Sequence, residues 1–221
     1  MKHRNVLPDS ATNAPWLLCV WGVVFLLQTA CTSVSAERTF ETMGVDIEAP
    51  LKACPTISGT YEFVGTPLPG MPSTWRGSAK RDYSGNPAEG WQLTFDRFLR
   101  GDWGGDTVLL KNRDAVTEVE VIQSQTIQVR FKGPFGQKIV ELPERPDDRL
   151  GCGKGTIILA RIRGTYLSEG GGSGYNVFKH TFVKNVDGSL DVTVQLVGQY
   201  RTLLFPWTYE ELNGARFAPK R

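Results

Sequence analysis

The chain has 221 residues, of which 40% are apolar and 22% are charged, and these proportions exclude wholesale disorder. Lys and Arg number 25 against 23 Asp and Glu, and this near-balance, a formal net charge of +2, argues against a nucleic-acid-binding protein. The sequence has only two histidines, and we expect His3 to be removed with an N-terminal segment, so a site built on two or more histidines is excluded.

The N-terminus has the pattern of a secretory signal peptide. Lys2 and Arg4 give it a basic start, and residues 16–27 form an uncharged, apolar run of twelve residues. A helix that crosses a bilayer needs about 20 apolar residues, whereas this run suits the shorter apolar helix of a signal peptide. The sequence therefore predicts export.

Two cleavage sites follow this run. Residues 27–31 (LQTAC) resemble a bacterial lipobox, in which small residues precede a cysteine that receives lipid, although Gln28 stands where Leu is usual. Residues 34–36 (VSA) match the site of ordinary signal peptidase. A free cysteine directly after the apolar run has no other evident role. We therefore predict a lipoprotein-type signal peptide over residues 1–30 and lipidation at Cys31, with simple secretion as the alternative.

The predicted anchor is followed by a segment without sustained periodicity. Acyl chains such as palmitate on Cys31 would hold a soluble domain at a membrane, since each buried methylene contributes about 0.8 kcal/mol. Thr32, rather than Asp, after this cysteine favours the outer membrane. Residues 31–53 are polar and mixed, and they predict a flexible tether to a single domain over residues 54–221.

Two cysteines remain for the mature domain, because Cys19 leaves with the signal peptide and Cys31 takes lipid. An even pair in an oxidising compartment predicts a disulfide between Cys54 and Cys152. The bond would close a loop of about 100 residues, for which chain entropy gives about 4–5 kcal/mol before strain. The sequence offers no C-x-x-C and no nearby histidine to favour a metal site or a reactive thiol.

Residues 54–221 have the pattern of an all-β domain. Alternating apolar and polar residues between turn signals predict about nine short strands in an antiparallel meander, which forms either a barrel or a sandwich. Residues 67–87 and 169–174 predict loops, and no window predicts a convincing helix, although residues 209–212 could form one turn. The clearest strand patterns, of which the last is apolar on both faces and therefore central, are at residues 56–64, 91–99, 107–111, 118–122, 125–131, 138–142 and 156–162.

The last hairpin can be predicted to the level of its register. Residues 185–189 (NVDGS) fit a three-residue loop in which Gly188 adopts the left-handed region. A two-residue loop would mix the apolar and polar faces, so turn chemistry and burial agree. His180 then lies on the apolar face, where we expect a packed histidine with one satisfied nitrogen. The predicted cross-strand pairs are Phe182 with Val192, His180 with Val194 and Phe178 with Leu196.

The sequence contains no motif for catalysis, a cofactor or a metal ion. Residues 151–156 (GCGKGT) depart from a phosphate-binding loop because Gly155 interrupts the Gly-Lys-Ser/Thr run. Gly-x-Ser-x-Gly is absent, and a Ser-His-Asp triad could use only His180, on its apolar face. All pairs of carboxylates lie in polar loops or near the C-terminus, where solvation is the default: Asp102 with Asp106, Asp147 with Asp148, and Glu210 with Glu211.

Residues 54–61 (CPTISGTY) resemble the opening of a group of uncharacterised proteobacterial envelope lipoproteins, whose mature domains begin with Cys-Pro-x-x-Ser-Gly-x-Tyr. A later cysteine before a strand, Cys152, and the hairpin at residues 187–190 (DGSL) are also similar. In that group the cysteine of the opening is often the lipid site, whereas here Cys31 precedes it by 23 residues. The resemblance implies an envelope location and supplies no catalytic residues.

We therefore expect a lipid-anchored cell-envelope protein with a non-catalytic binding or structural role. Its location would be the periplasmic side of the outer membrane, or the periplasm if it is simply secreted. Its partners would be the membrane and an envelope protein or the cell wall, rather than nucleic acid.

The alternative function is a lipocalin-like barrel that carries a hydrophobic small molecule. Residues 101–103 (GDW) match the Gly-x-Trp that opens lipocalins, although two glycines follow at once. Four tryptophans could line a cavity, but we favour a role in filling the core: Trp75, Trp91, Trp103 and Trp207.

Overall fold

The computed structural model describes residues 38–72, 92–100, 116–134, 136–167, 172–201 and 206–220. These residues form eleven strands, a helical segment at residues 38–42 (α1), a 3-10 turn at Leu51–Ala53 and the helix α2 at Phe95–Arg100. The strands are β1 (Ala49–Pro50), β2 (Gly59–Tyr61), β3 (Thr66–Pro67), β4 (Glu118–Gln123), β5 (Ile127–Gly133), β6 (Gly136–Leu142), β7 (Arg149–Gly153), β8 (Thr156–Leu167), β9 (Gly172–Lys184), β10 (Leu190–Arg201) and β11 (Pro206–Phe217).

The strands form two antiparallel sheets. Sheet A has the order β1-β7-β8-β9-β10-β11-β3, and sheet B has the order β2-β4-β5-β6. The prediction of an antiparallel all-β fold is confirmed. Because sheet A is open and the two sheets share one core, the fold is a sandwich. Within the described residues sheet A does not close into the barrel on which the lipocalin-like alternative was based. The four strands from β8 to β11 have 12 or 13 residues each, and they are therefore longer than the short strands that we predicted.

The main core lies between the inner faces of the two sheets. Because side chains alternate along a strand, every second residue of β4 and β5 points inward, as the burial of Val119, Val121 and Phe131 shows. Sheet A contributes Leu159 and Val194, among others, to the same cluster. One face of each sheet is thus buried, as the alternating pattern indicates, and burial of apolar surface stabilises the fold.

The predicted register of the last hairpin is confirmed. Phe182 pairs with Val192, and the other two predicted pairs are also present. The loop is closed by a hydrogen bond from the Asn185 backbone N–H to the Ser189 carbonyl, with an N–O distance of 2.8 Å. Gly188 has a φ of 85°, the left-handed conformation that the loop requires.

The prediction of a strand over residues 91–99 is wrong, because Phe95–Arg100 forms α2. The Thr94 carbonyl accepts a hydrogen bond from the Arg97 backbone N–H and begins the helix. Phe95, Phe98 and Leu99 have the i, i+3, i+4 spacing of a helix face, and all three are buried in the core. An alternating pattern through Phe95 fits the same sequence as well, so the local pattern did not decide between the two.

Other strand predictions differ in their bounds. The first strand is limited to β2, and residues 209–212 belong to β11 instead of forming a helical turn. Residues 107–111 and most of the loop at 67–87 lie outside the described residues.

The segment at residues 39–53, which we name the strap, is packed on the domain. We predicted a flexible tether over residues 31–53, but the compact unit of the structure begins at Thr39. Phe40 and Met43 are buried against Ala160 and Val177, on the outer face of sheet A. Apolar residues alternate with polar residues or proline from Val45 to Ala53, and the prediction of a tether did not use this period-2 signal.

Candidate functional site

The disulfide is the one predicted site that the structure describes fully. Cys54 and Cys152 are bonded, with Cα atoms 5.6 Å apart. Strand β1 pairs Ala49 with Cys152, and the 3-10 turn then brings the chain back so that Cys54 reaches the same strand of sheet A. The bond therefore joins the end of the strap to β7. Cys31, the predicted lipidation site, lies outside the described residues.

The inner face of sheet A changes from apolar to polar along its long strands. On β8 the inward positions run from Ile157 and Leu159, both in the core cluster, to Arg161 and Arg163. On β9 the neighbour of Arg163 across the ladder is Asn176. The polar part of this face is the candidate site, because buried ionisable groups are the residues in which a function would be expected.

Asp148 is the centre of a buried ion-pair cluster in this region. Its carboxylate accepts two hydrogen bonds from the Arg163 guanidinium, at 2.7 and 3.1 Å, and one each from the backbone N–H groups of Glu144 and Arg145. Arg161, which is only 2% exposed, places its Nε 3.7 Å from Asp148 Oδ2. Burial by itself would raise the pKa of Asp148, but Arg163 and Arg161 outweigh it and hold the pKa below its usual value. Asp148 is therefore ionised at neutral pH, as its ion pair with Arg163 requires.

Sheet A also binds the C-terminal end of α2. Arg161 Nη1 donates to the Leu99 carbonyl at 2.8 Å, and His180 Nδ1 donates to the Phe98 carbonyl at 2.8 Å. The last carbonyl groups of a helix have no hydrogen-bond partner within the helix. A positively charged donor such as the Arg161 guanidinium also interacts favourably with the negative, C-terminal end of the helix dipole. The buried polar groups of β8 and β9 thus hold a helix that the sequence pattern did not predict.

His180 is fully buried and confirms the expected packed histidine with one satisfied nitrogen. Its Nε2 atom has no hydrogen-bond partner among the residues that the structure describes. Burial, followed by the charge of Arg161, lowers the pKa of His180 well below the usual 6.5. The imidazole is therefore neutral, with the proton on Nδ1, since a carbonyl oxygen can only accept.

This environment predicts an acid-sensitive stability. The unfolded chain binds a proton at His180 below a pH of about 6.5, whereas the folded protein does not. The unfolded state then binds more protons, so stability should decrease as the pH falls, by up to about 1.4 kcal/mol per pH unit. We expect urea unfolding between pH 7 and 5 to show this slope. In His180→Asn, which can still donate to the Phe98 carbonyl, the slope should flatten, and an unchanged slope would contradict the assignment.

Two stacked tyrosines lie further along the same face. The Tyr200 and Tyr209 rings are 5.5 Å apart, and both hydroxyls donate to Asn176 Oδ1, at 2.9 and 3.0 Å. Gly198 pairs with Tyr209 across the ladder, and a Cβ atom there would overlap the tyrosine ring. Burial raises the pKa of Tyr209 above its ordinary value, so the phenol remains protonated. The hydrogen bonds and the stacking thus orient the two tyrosine side chains against Asn176.

The carboxylate pairs form no acid–base site in the described part of the chain. Asp147 is exposed beside the buried Asp148, and Glu210 and Glu211 lie on opposite faces of β11. Asp102 and Asp106 lie outside the described residues. Within the same limits, no group of three or more His, Cys, Asp or Glu residues is placed to hold a metal ion.

The glycine-rich segment before β8 is a hairpin turn. Lys154 and Gly155 both have positive φ, 52° and 77°, as in the two-residue turns that join antiparallel strands. This turn ends β7 and begins β8, so residues 151–156 cannot open a helix in the way that a phosphate-binding loop does.

The buried arginine is the feature that sequence reasoning missed. Arg161 follows the apolar residues 157–160, and we interpreted residues 156–162 only as a central strand. A charged side chain within a strand that is buried on both faces requires an oppositely charged or hydrogen-bonding partner. The position of Arg161 in such a strand was therefore a signal, available in the sequence, for a buried ion pair.

No helix in the described ranges is both long and apolar enough to cross a membrane. Comparison of the chain with protein-family models, with curated proteins and with solved structures finds no match in any of the three.

Proposed function

We propose that the protein is exported and anchored by lipid at Cys31 in the cell envelope, where its sandwich domain has a non-catalytic binding or structural role. The observation that carries this proposal is the basic start and the apolar run that ends in a cysteine after small residues. The Cys54–Cys152 disulfide supports it, because such bonds persist in oxidising compartments.

The interior of the domain supports a role without chemistry. Asp148 binds Arg163, and Arg161 binds the end of α2. His180 is neutral and donates to the same helix. These groups hold elements of the fold together, so contacts with a partner are assigned to the exterior. The partner would be an envelope protein or the cell wall, reached from the periplasmic side of the outer membrane.

Replacing the predicted lipid-bearing residue tests the anchor. In Cys31→Ser we expect the protein to move from the membrane fraction to the soluble fraction, because the acyl chains supply the membrane affinity. Cys19→Ser is the matched control, since it changes a cysteine in the segment that is removed, and it should leave fractionation unchanged. If Cys31→Ser remained in the membrane fraction and the parent protein carried no lipid mass, the anchor would be refuted.

A further inference from the structure

The strap begins and ends at defined places on sheet A. At its start, Gln199 Nε2 donates to the Thr39 side-chain oxygen at 3.0 Å. Lys179 Nζ then donates to the carbonyls of Met43 and Gly44, at 2.6 and 2.9 Å. At its end, the disulfide at Cys54 fixes the chain to β7. The strap is thus held along its length and does not add to the reach of the residues before it.

The start of the strap and the β9–β10 hairpin lie at opposite ends of sheet A. Gln199 is near the end of β10, and Leu190 begins the same strand. Nine residues separate them, which corresponds to about 30 Å at the rise of a β-strand. The hairpin tip lies beyond Leu190 and carries Val186, which is fully exposed.

The chain between the proposed lipid and the strap is short. Cys31 and Thr39 are eight residues apart. Eight residues span at most about 28 Å when fully extended, and a flexible segment of that length has an average end-to-end distance of about 15 Å. If the chain were free as far as Cys54, its 23 residues would span up to about 80 Å and impose no orientation.

We propose that the Gln199 end of sheet A faces the phospholipid surface and that the β9–β10 hairpin points away from it. The proposal rests on lipidation at Cys31. It follows from the packed strap, because the chain between the lipid and the start of the strap is only eight residues long. The hairpin tip is then the part of the domain that meets components beyond the membrane.

Energy transfer from the protein to an acceptor lipid tests this orientation. The full-length protein is purified with its anchor, placed in phosphatidylethanolamine–phosphatidylglycerol vesicles with a headgroup-labelled acceptor, and labelled with a donor at one introduced cysteine. Thr208→Cys places the donor at the exposed neighbour of Gln199 across the ladder. Val186→Cys places it at the hairpin tip. Glu210→Cys, which is also exposed on β11, replaces Thr208→Cys if that variant fails to fold.

We expect severalfold greater transfer from position 208 than from position 186. Insertion of a Gly/Ser segment of about 20 residues after Ala36 should reduce this difference, because it lengthens the chain between the lipid and the strap. Equal or reversed transfer with an acylated Cys31 would overturn the orientation. The parent protein without an introduced cysteine is the control for the anchor. If it takes up label at Cys31, the residue is not lipidated and the proposed function itself fails.

Discussion

Replacing Asp148 by asparagine should lower the free energy of unfolding by about 3–5 kcal/mol, the usual cost of removing one partner from a buried ion pair. The side chain of Asp148 is fully buried and binds Arg163 through two hydrogen bonds. It also lies beside Arg161, whose guanidinium is almost completely buried. An amide cannot balance these two charges. Because Arg161 binds the Leu99 carbonyl, we expect α2 to lose protection from hydrogen exchange as well.

The neighbouring residue provides a matched control for this variant. Asp147 has the same chemistry but is exposed in the turn before β7, so Asp147→Asn should change the free energy of unfolding by less than about 0.5 kcal/mol. Urea unfolding at neutral pH measures both variants. If Asp148→Asn were as stable as Asp147→Asn, the ion pairs of Asp148 with Arg161 and Arg163 would not contribute to the stability of the fold.

Replacing either cysteine of the disulfide should lower the free energy of unfolding by about as much as Asp148→Asn does. Cys54 and Cys152 are 98 residues apart, and closing such a loop in the unfolded chain corresponds to about 4–5 kcal/mol in the chain-entropy account. Cys54→Ser and Cys152→Ser should therefore be destabilised by similar amounts, and the double variant by no more than either single variant. Chemical unfolding of the purified protein with its disulfide formed provides the measurement. If the double variant lost the sum of the two single losses in the free energy of unfolding, each cysteine would stabilise the fold through its own packing and not through the disulfide.

The hairpin and the disulfide could be predicted because local chemistry determines them. Gly188, in the left-handed region, fixes the conformation of the loop. The alternation of apolar and polar residues in the strands on both sides of this loop then allows only one register. The disulfide followed from counting cysteines in a chain that we predicted to be exported, without any knowledge of the strands that bring the two residues together. Both inferences depend on short stretches of sequence or on a small number of candidates.

The helix α2 and the packing of the strap were not predicted, and distant residues hold both in place. The end of α2 is bound by Arg161 and His180, which follow it by more than 60 residues. The strap is held by Lys179, well over 100 residues away. Such partners cannot be identified from the segment itself, and tertiary contacts override weak local preferences. The same reasoning explains why the role of Arg161 became clear only from the structure. For the strap, the alternation of apolar residues over residues 45–53 was a local signal that the prediction of a tether did not use.

The most direct test of the account is non-reducing peptide mass mapping of the mature protein from cell envelopes. We expect the N-terminal peptide to begin with an acylated Cys31 and the peptides that contain Cys54 and Cys152 to be recovered as one linked pair. A mature chain that begins at Glu37 without lipid, or one that retains residues 1–30, would contradict the lipid-anchored account.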